Sequence, residues 1–159
     1  MDRKLVILLA GVLATAKVGG AQTAPPAVYG SAATLAAKAD SLLEKAKVAR
    51  DGSAGETLEK FNNYYTMLTV RIKGGGAEYH EHWSDIFVVI KGQGTLVTGG
   101  TIPDMKQKKE GEYVGARIVG GTTQVLKTGD TFYIPAQTPH QSFVDSSKPF
   151  IYYVIKIHD

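Results

Sequence analysis

The chain has 159 residues, a formal net charge of +3, 43% hydrophobic and 21% charged residues and no cysteine. This is the composition of one ordinary globular domain and excludes an intrinsically disordered chain. The missing cysteines exclude disulfide frameworks, thiolate zinc sites and thiol nucleophiles, so any metal must be held by nitrogen and oxygen.

Residues 1–21 join a charged start (Asp2, Arg3, Lys4) to a short apolar run over 5–13, then to small residues with Gly19 and Ala21 ahead of Gln22. That order predicts a secretory signal peptide, and the run is too short for a spanning helix. The mature chain is therefore expected to be secreted or periplasmic with no stable membrane anchor. Three of the 18 basic residues and one of the 15 acidic residues lie in this segment, leaving 15 against 14. So balanced a surface, with Lys106, Lys108 and Lys109 as its main basic cluster, argues against nucleic acid as a partner.

Residues 22–60 read as a lead-in and a helix. Ser31 is placed to cap the helix start and Gly52 to follow its end near Arg50, while Leu35, Ala39, Leu42, Ala46 and Ala49 form an apolar stripe. From Tyr64 the pattern changes to short β-rich runs about ten residues apart, at 64–72, 86–90, 95–98, 113–118, 124–126, 131–134, 141–144 and 150–157. Glycines at 92, 94, 120, 121 and 129 punctuate them. The expectation is a small antiparallel barrel or jelly roll over residues 61–159, closed so that no long hydrophobic edge is exposed. The excursion over 101–121 is expected to be a lid or an oligomer contact.

Three of the four histidines fall in two segments, His80-Glu81-His82 and Thr138-Pro139-His140. On an extended strand His80 and His82 project to one face about 6.6 Å apart, with Glu81 turned the other way. Asp85 is the nearest carboxylate able to join them, and it needs a turn at Trp83-Ser84 to return to that face. His140 follows a rigid proline turn that can aim it inward. Imidazole and carboxylate together suit a divalent transition metal, Fe, Mn, Ni, Co, Cu or Zn.

The sequence from Gly74 through His80-x-His82 to Asp85 and on to Gly92 resembles the first motif of the cupin superfamily, and Gly129 to His140 resembles the second. Both come in the family's order, with 36 residues between Gly92 and Gly129. The resemblance covers roughly residues 64–157. It implies an all-β fold, a single cupin jelly-roll barrel preceded by one α-helix, with one metal ion held by His80, His82, Asp85 and His140. Asp85 stands where the family has glutamate, and sooner after the second histidine, so it is either a ligand or the orienter of one. Gln137 and Val144 replace the usual glycine and asparagine and are expected to alter loop shape only. The resemblance also implies a small-molecule ligand or substrate and a homodimer. Candidate proton-transfer groups are Asp85 and whichever of Tyr65, Tyr133 and Tyr152 lines the barrel. The expected function is an exported mononuclear metal cupin acting on a small molecule. The alternative is a non-catalytic binding module for a metal or small ligand.

Overall fold

A computed structural model describes residues 27–144 and 147–159. The leader expected over residues 1–21 lies outside them. The described residues form one helix, α1 (Ala32–Val48), and eleven strands. These are β1 (Ser53–Lys60), β2 (Tyr64–Arg71), β3 (Ala77–His80), β4 (Trp83–Lys91), β5 (Gln93–Thr98), β6 (Lys106–Lys109), β7 (Glu112–Gly115), β8 (Thr122–Lys127), β9 (Thr131–Ile134), β10 (His140–Phe143) and β11 (Phe150–His158). No helix among them is long and apolar enough to cross a membrane.

The helix begins where a cap was expected, with the Ser31 hydroxyl accepting from the Thr34 backbone N–H at 3.0 Å. Ala39, Leu42 and Ala46 are its buried residues, and they pack on Leu68, Val70 and Ile151 from the outer face of the first sheet. An ion pair between Lys38 and Glu56 ties the helix to β1. Strand β1 falls within residues 22–60, where only a lead-in and helix were expected. Its sequence, SAGETLEK, is polar and glycine-broken, and it is held as an edge strand by pairing with β2.

The strands form two antiparallel sheets, ordered β1-β2-β11-β4-β9 and β6-β7-β3-β10-β5-β8. Period-two alternation splits each strand between two environments. In β4, Phe87 and Val89 enter the barrel, while Ile86, Val88 and Ile90 face outward or pack at the surface. In β11, Phe150, Tyr152 and Val154 face inward and Ile151 packs under the helix. The inner residues meet Leu96, Leu126 and Ile134 to make a core between the sheets. The result is a jelly roll with a helix laid on one outer face.

The excursion over 101–121 is not a free lid. Thr101 bridges to Val119, and β6 and β7 make a hairpin that extends the second sheet beside β3. One short edge strand, KQKK, is exposed along its whole length.

Candidate metal centre

The site is a polar layer at one end of the barrel, built from register. Lys156 on β11 lies directly opposite both Asp85 on β4 and Tyr65 on β2. Across the barrel His140 on β10 lies opposite Glu78 on β3. Beneath them, Phe87, Val154 and Met67 make an apolar floor.

Glu78, His80 and His140 each offer one donor atom, and these atoms all lie within 4.8 Å of one another. The His80 and His140 rings are 5.0 Å apart. The Asp85 carboxylate stands 3.6 Å from His80 Nε2 and 3.7 Å from His140 Nε2. Lys156 Nζ is 2.6 Å from Asp85 Oδ1 and donates to His80 Nε2 at 3.0 Å. His80, Asp85, His140 and Lys156 are all buried, whereas Glu78 keeps 46% of its side chain exposed.

The partners of the outer ring nitrogens decide what the inner ones present. His140 Nδ1 lies 3.1 Å from the Thr138 carbonyl, which only accepts, so the proton sits on Nδ1. His80 Nδ1 lies 2.6 Å from Glu112 Oε2, with the same consequence. Both rings therefore turn Nε2 into the barrel. His140 is 3% exposed, and its Nε2 has no hydrogen-bond partner among the described residues. A buried imidazole nitrogen without a hydrogen-bond partner, facing two carboxylates and a second imidazole, is free to donate its lone pair to a metal ion. The donor set therefore fits a divalent transition metal, with Glu112 fixing the His80 tautomer from behind. Glu112→Gln is expected to weaken metal affinity about 10- to 100-fold without unfolding the barrel, as read by calorimetric titration.

Three of the four residues expected to ligate, His80, Asp85 and His140, are brought together; His82 is not. Strand β3 ends at His80, because Glu81 N–H donates to the Gly111 carbonyl and the chain bends there before β4. The His82 side chain is 58% exposed and its ring stacks on His158 at 6.0 Å. Glu78, two residues before His80 on the same strand face, occupies the place expected for it. Glu81 points away as expected and accepts from the Tyr113 hydroxyl at 2.9 Å. Trp83 opens β4, so Asp85 reaches the interior by simple alternation with Phe87 and Val89. Sequence reasoning missed Glu78, Glu112 and Lys156; only Glu78 carried a local signal, its offset of two from His80.

Of the three tyrosines, Tyr133 is 57% exposed and lies outside the barrel, and Tyr152 is packed against Phe87 and Phe150 in the core. Tyr65 lies opposite Lys156 in the layer, edge-on to Trp83. Burial, with the Glu112, Asp85 and Glu78 carboxylates nearby, pushes its hydroxyl up to about 12, so it is a proton donor and not a base at neutral pH. Gln137 adopts φ of 61° and its N–H donates to the His80 carbonyl at 2.7 Å, so the tight turn persists without glycine.

The charges in the layer depend on one another. Partial burial opposes ionisation of Glu78, but the His140 and His80 imidazoles and Lys156 outweigh it and bring its carboxyl from 4.5 to about 2. The same contest lowers Asp85. Burial alone would lower His140, yet Glu78, Asp85 and the Thr138 carbonyl raise it above 6.5. The depressed carboxylates stabilise the fold above their ordinary values, a contribution lost as pH falls toward about 2. The raised imidazole contributes fully below 6.5, and this is lost as pH rises through its folded value. The metal-free protein is thus expected to melt highest between pH 4.5 and 6.5 and lower on either side. Metal affinity should climb with pH in the alkaline window, since the ion must displace a proton from His140. Melting curves and titrations across pH check both; a metal affinity that does not change above pH 6.5 contradicts the His140 assignment.

Two facing antiparallel sheets with imidazoles and carboxylates converging at one end define a cupin fold carrying a candidate metal site. Solved structures share this fold. The chain aligns with the Schizosaccharomyces pombe Cnp3 cupin domain at 12% identity and TM-score 0.51, covering 70% of this chain and 65% of that one. It aligns with an oxalate oxidase at 18% identity and TM-score 0.51, covering 70% of this chain and 53% of that one. The BH2720 protein of Bacillus halodurans aligns at 17% identity and TM-score 0.51, covering 73% and 76%. The chain thus spans about half the length of the oxalate oxidase and just under two thirds of the Cnp3 domain. At these identities the likeness establishes the fold. No family model matches the sequence, and no curated protein matches it.

Proposed function

We propose that the chain holds one divalent transition-metal ion through Glu78, His80 and His140, with Asp85 beside them, and presents it to a small molecule. The unpaired, buried His140 Nε2 carries this reading. Three protein donors leave coordination positions open, and an ion so held supplies Lewis acidity toward an oxygen-bearing ligand. A cleft of about 420 Å³ beside the layer is lined by Thr57, Lys60, Phe61, Tyr65, Met67, Trp83 and Lys109. It shares Tyr65 and Met67 with the barrel, and its two lysines favour a small anionic molecule such as a carboxylate. Tyr65, held protonated, is placed to donate a hydrogen bond to it. The leader-like composition of residues 1–21 supports an exported protein.

The test is elemental analysis of protein purified without chelator, followed by titration with Mn, Fe, Co, Ni, Cu and Zn ions. One ion per chain is expected, and its identity narrows the reactions to screen. No ion after purification and none on titration would refute the reading.

A further inference from the structure

The Lys156 ammonium is the feature that a plain metal site does not explain. It is buried, it comes two residues before the end of a largely apolar strand, and it touches the metal-facing nitrogen of His80 and the carboxylate of Asp85 together. A lone pair that accepts from an ammonium cannot bind an ion at the same time. Lys156 pairs with Oδ1 of Asp85 at 2.6 Å, while Oδ2 faces His80 Nε2 at 3.6 Å and His140 Nε2 at 3.7 Å; Asp85 is not part of the group formed by Glu78, His80 and His140.

We infer that Lys156 is a resident cation that competes with the metal for His80 and neutralises Asp85 beside it. This rests on the metal-binding reading above and adds a device to it. Without an ion, the ammonium neutralises Asp85 and satisfies His80, so the barrel stays assembled around a cluster that would otherwise be a row of unpaired buried groups. When an ion loads, the ammonium must leave His80, and the two cations repel across a poorly solvated space. The centre is thereby tuned to hold its metal loosely, and Asp85 is a reserve ligand whose charge is taken up by its own ion pair.

The experiment compares Co²⁺ binding to the wild-type chain, Lys156→Met and the double variant Asp85→Asn/Lys156→Met, by calorimetry and by the visible absorption of the bound ion. Circular dichroism and melting report folding. Lys156→Met is expected to bind at least about tenfold more tightly, with a changed Co²⁺ spectrum as Asp85 joins the ligand set. Its metal-free form is expected to melt lower, because a buried carboxylate has lost its partner. The double variant leaves no lone buried charge, so it decides the matter if the single variant does not fold: it too should bind more tightly than wild type, with the wild-type spectrum. Wild-type or weaker affinity in the folded variants overturns the inference while leaving the metal centre intact. No Co²⁺ binding by any of the three, wild type included, overturns the metal centre and this inference with it.

Discussion

His140→Ala is expected to yield a folded barrel that retains less than a tenth of an ion per chain, with affinity lowered by more than about 100-fold. His140 is the right residue to remove because its ring makes one structural hydrogen bond, to the Thr138 carbonyl, while its other nitrogen has no partner among the described residues. Truncating it therefore removes a metal donor and breaks one hydrogen bond, while Glu78 and Asp85 keep His80 and Lys156 near them. His80 would be a poorer choice, since its loss strands Glu112 and takes one of the two partners of Lys156. Metal analysis and a cooperative melting curve on the same sample provide the check. Full stoichiometry in His140→Ala would remove His140 from the centre. His82→Ala is the matched control, and it should keep its metal, since that ring lies on the surface against His158.

The second large effect lies at the opposite end of the barrel and concerns folding alone. Gly92 follows β4 at φ of 88°, and a Cβ there would stand 2.2 Å from the Pro149 carbonyl oxygen and 3.2 Å from its carbon. That obstacle is backbone entering β11, which a side-chain rotation cannot move. The Gly92 carbonyl also accepts from Thr128 N–H at 3.1 Å, so three segments are fixed around one residue. Gly92→Ala combines a left-handed backbone with a hard clash. It should cost about 3 kcal/mol or more and lower the melting temperature by about 10 °C. The metal content of the folded fraction should be unchanged. A variant melting within a degree or two of wild type would show that the β4–β5 turn is softer than this geometry implies.

Much of the architecture was readable because it is written locally. The capped helix, the alternating strands and the glycine-marked turns are short-range patterns, and His80, Asp85 and His140 sit within them. The place of Glu78 beside the two buried histidines was not. Glu78, His80 and His82 all obey the same period-two alternation, and what separates them is where β3 stops. That limit is set by Glu112 opposite His80 and by Gly111 accepting from Glu81, residues about thirty positions away. Glu112 was hidden for the same reason, within a glycine- and lysine-rich excursion that gave no sign of pairing beside β3. Lys156 was hidden by its neighbours, since one lysine in FIYYVIKIH reads as the frayed end of a core strand. Strand β1 carried too little hydrophobic contrast to be recognised apart from the sheet that holds it.

The placement of Lys156 bears on how the barrel finds its alignment. Strand β11 is apolar on both faces, with Ile151 under the helix and Tyr152 and Val154 in the core. Hydrophobicity alone therefore distinguishes poorly between one alignment with β4 and β2 and the same alignment slipped by a residue. A slip of one would carry the ammonium to the outer face beneath the helix layer and put Ile155 or Ile157 against Asp85, leaving both charges without partners. Only the native alignment joins them. The pair thus penalises shifted sheets, and the site's most polar residues help to choose the fold that contains them.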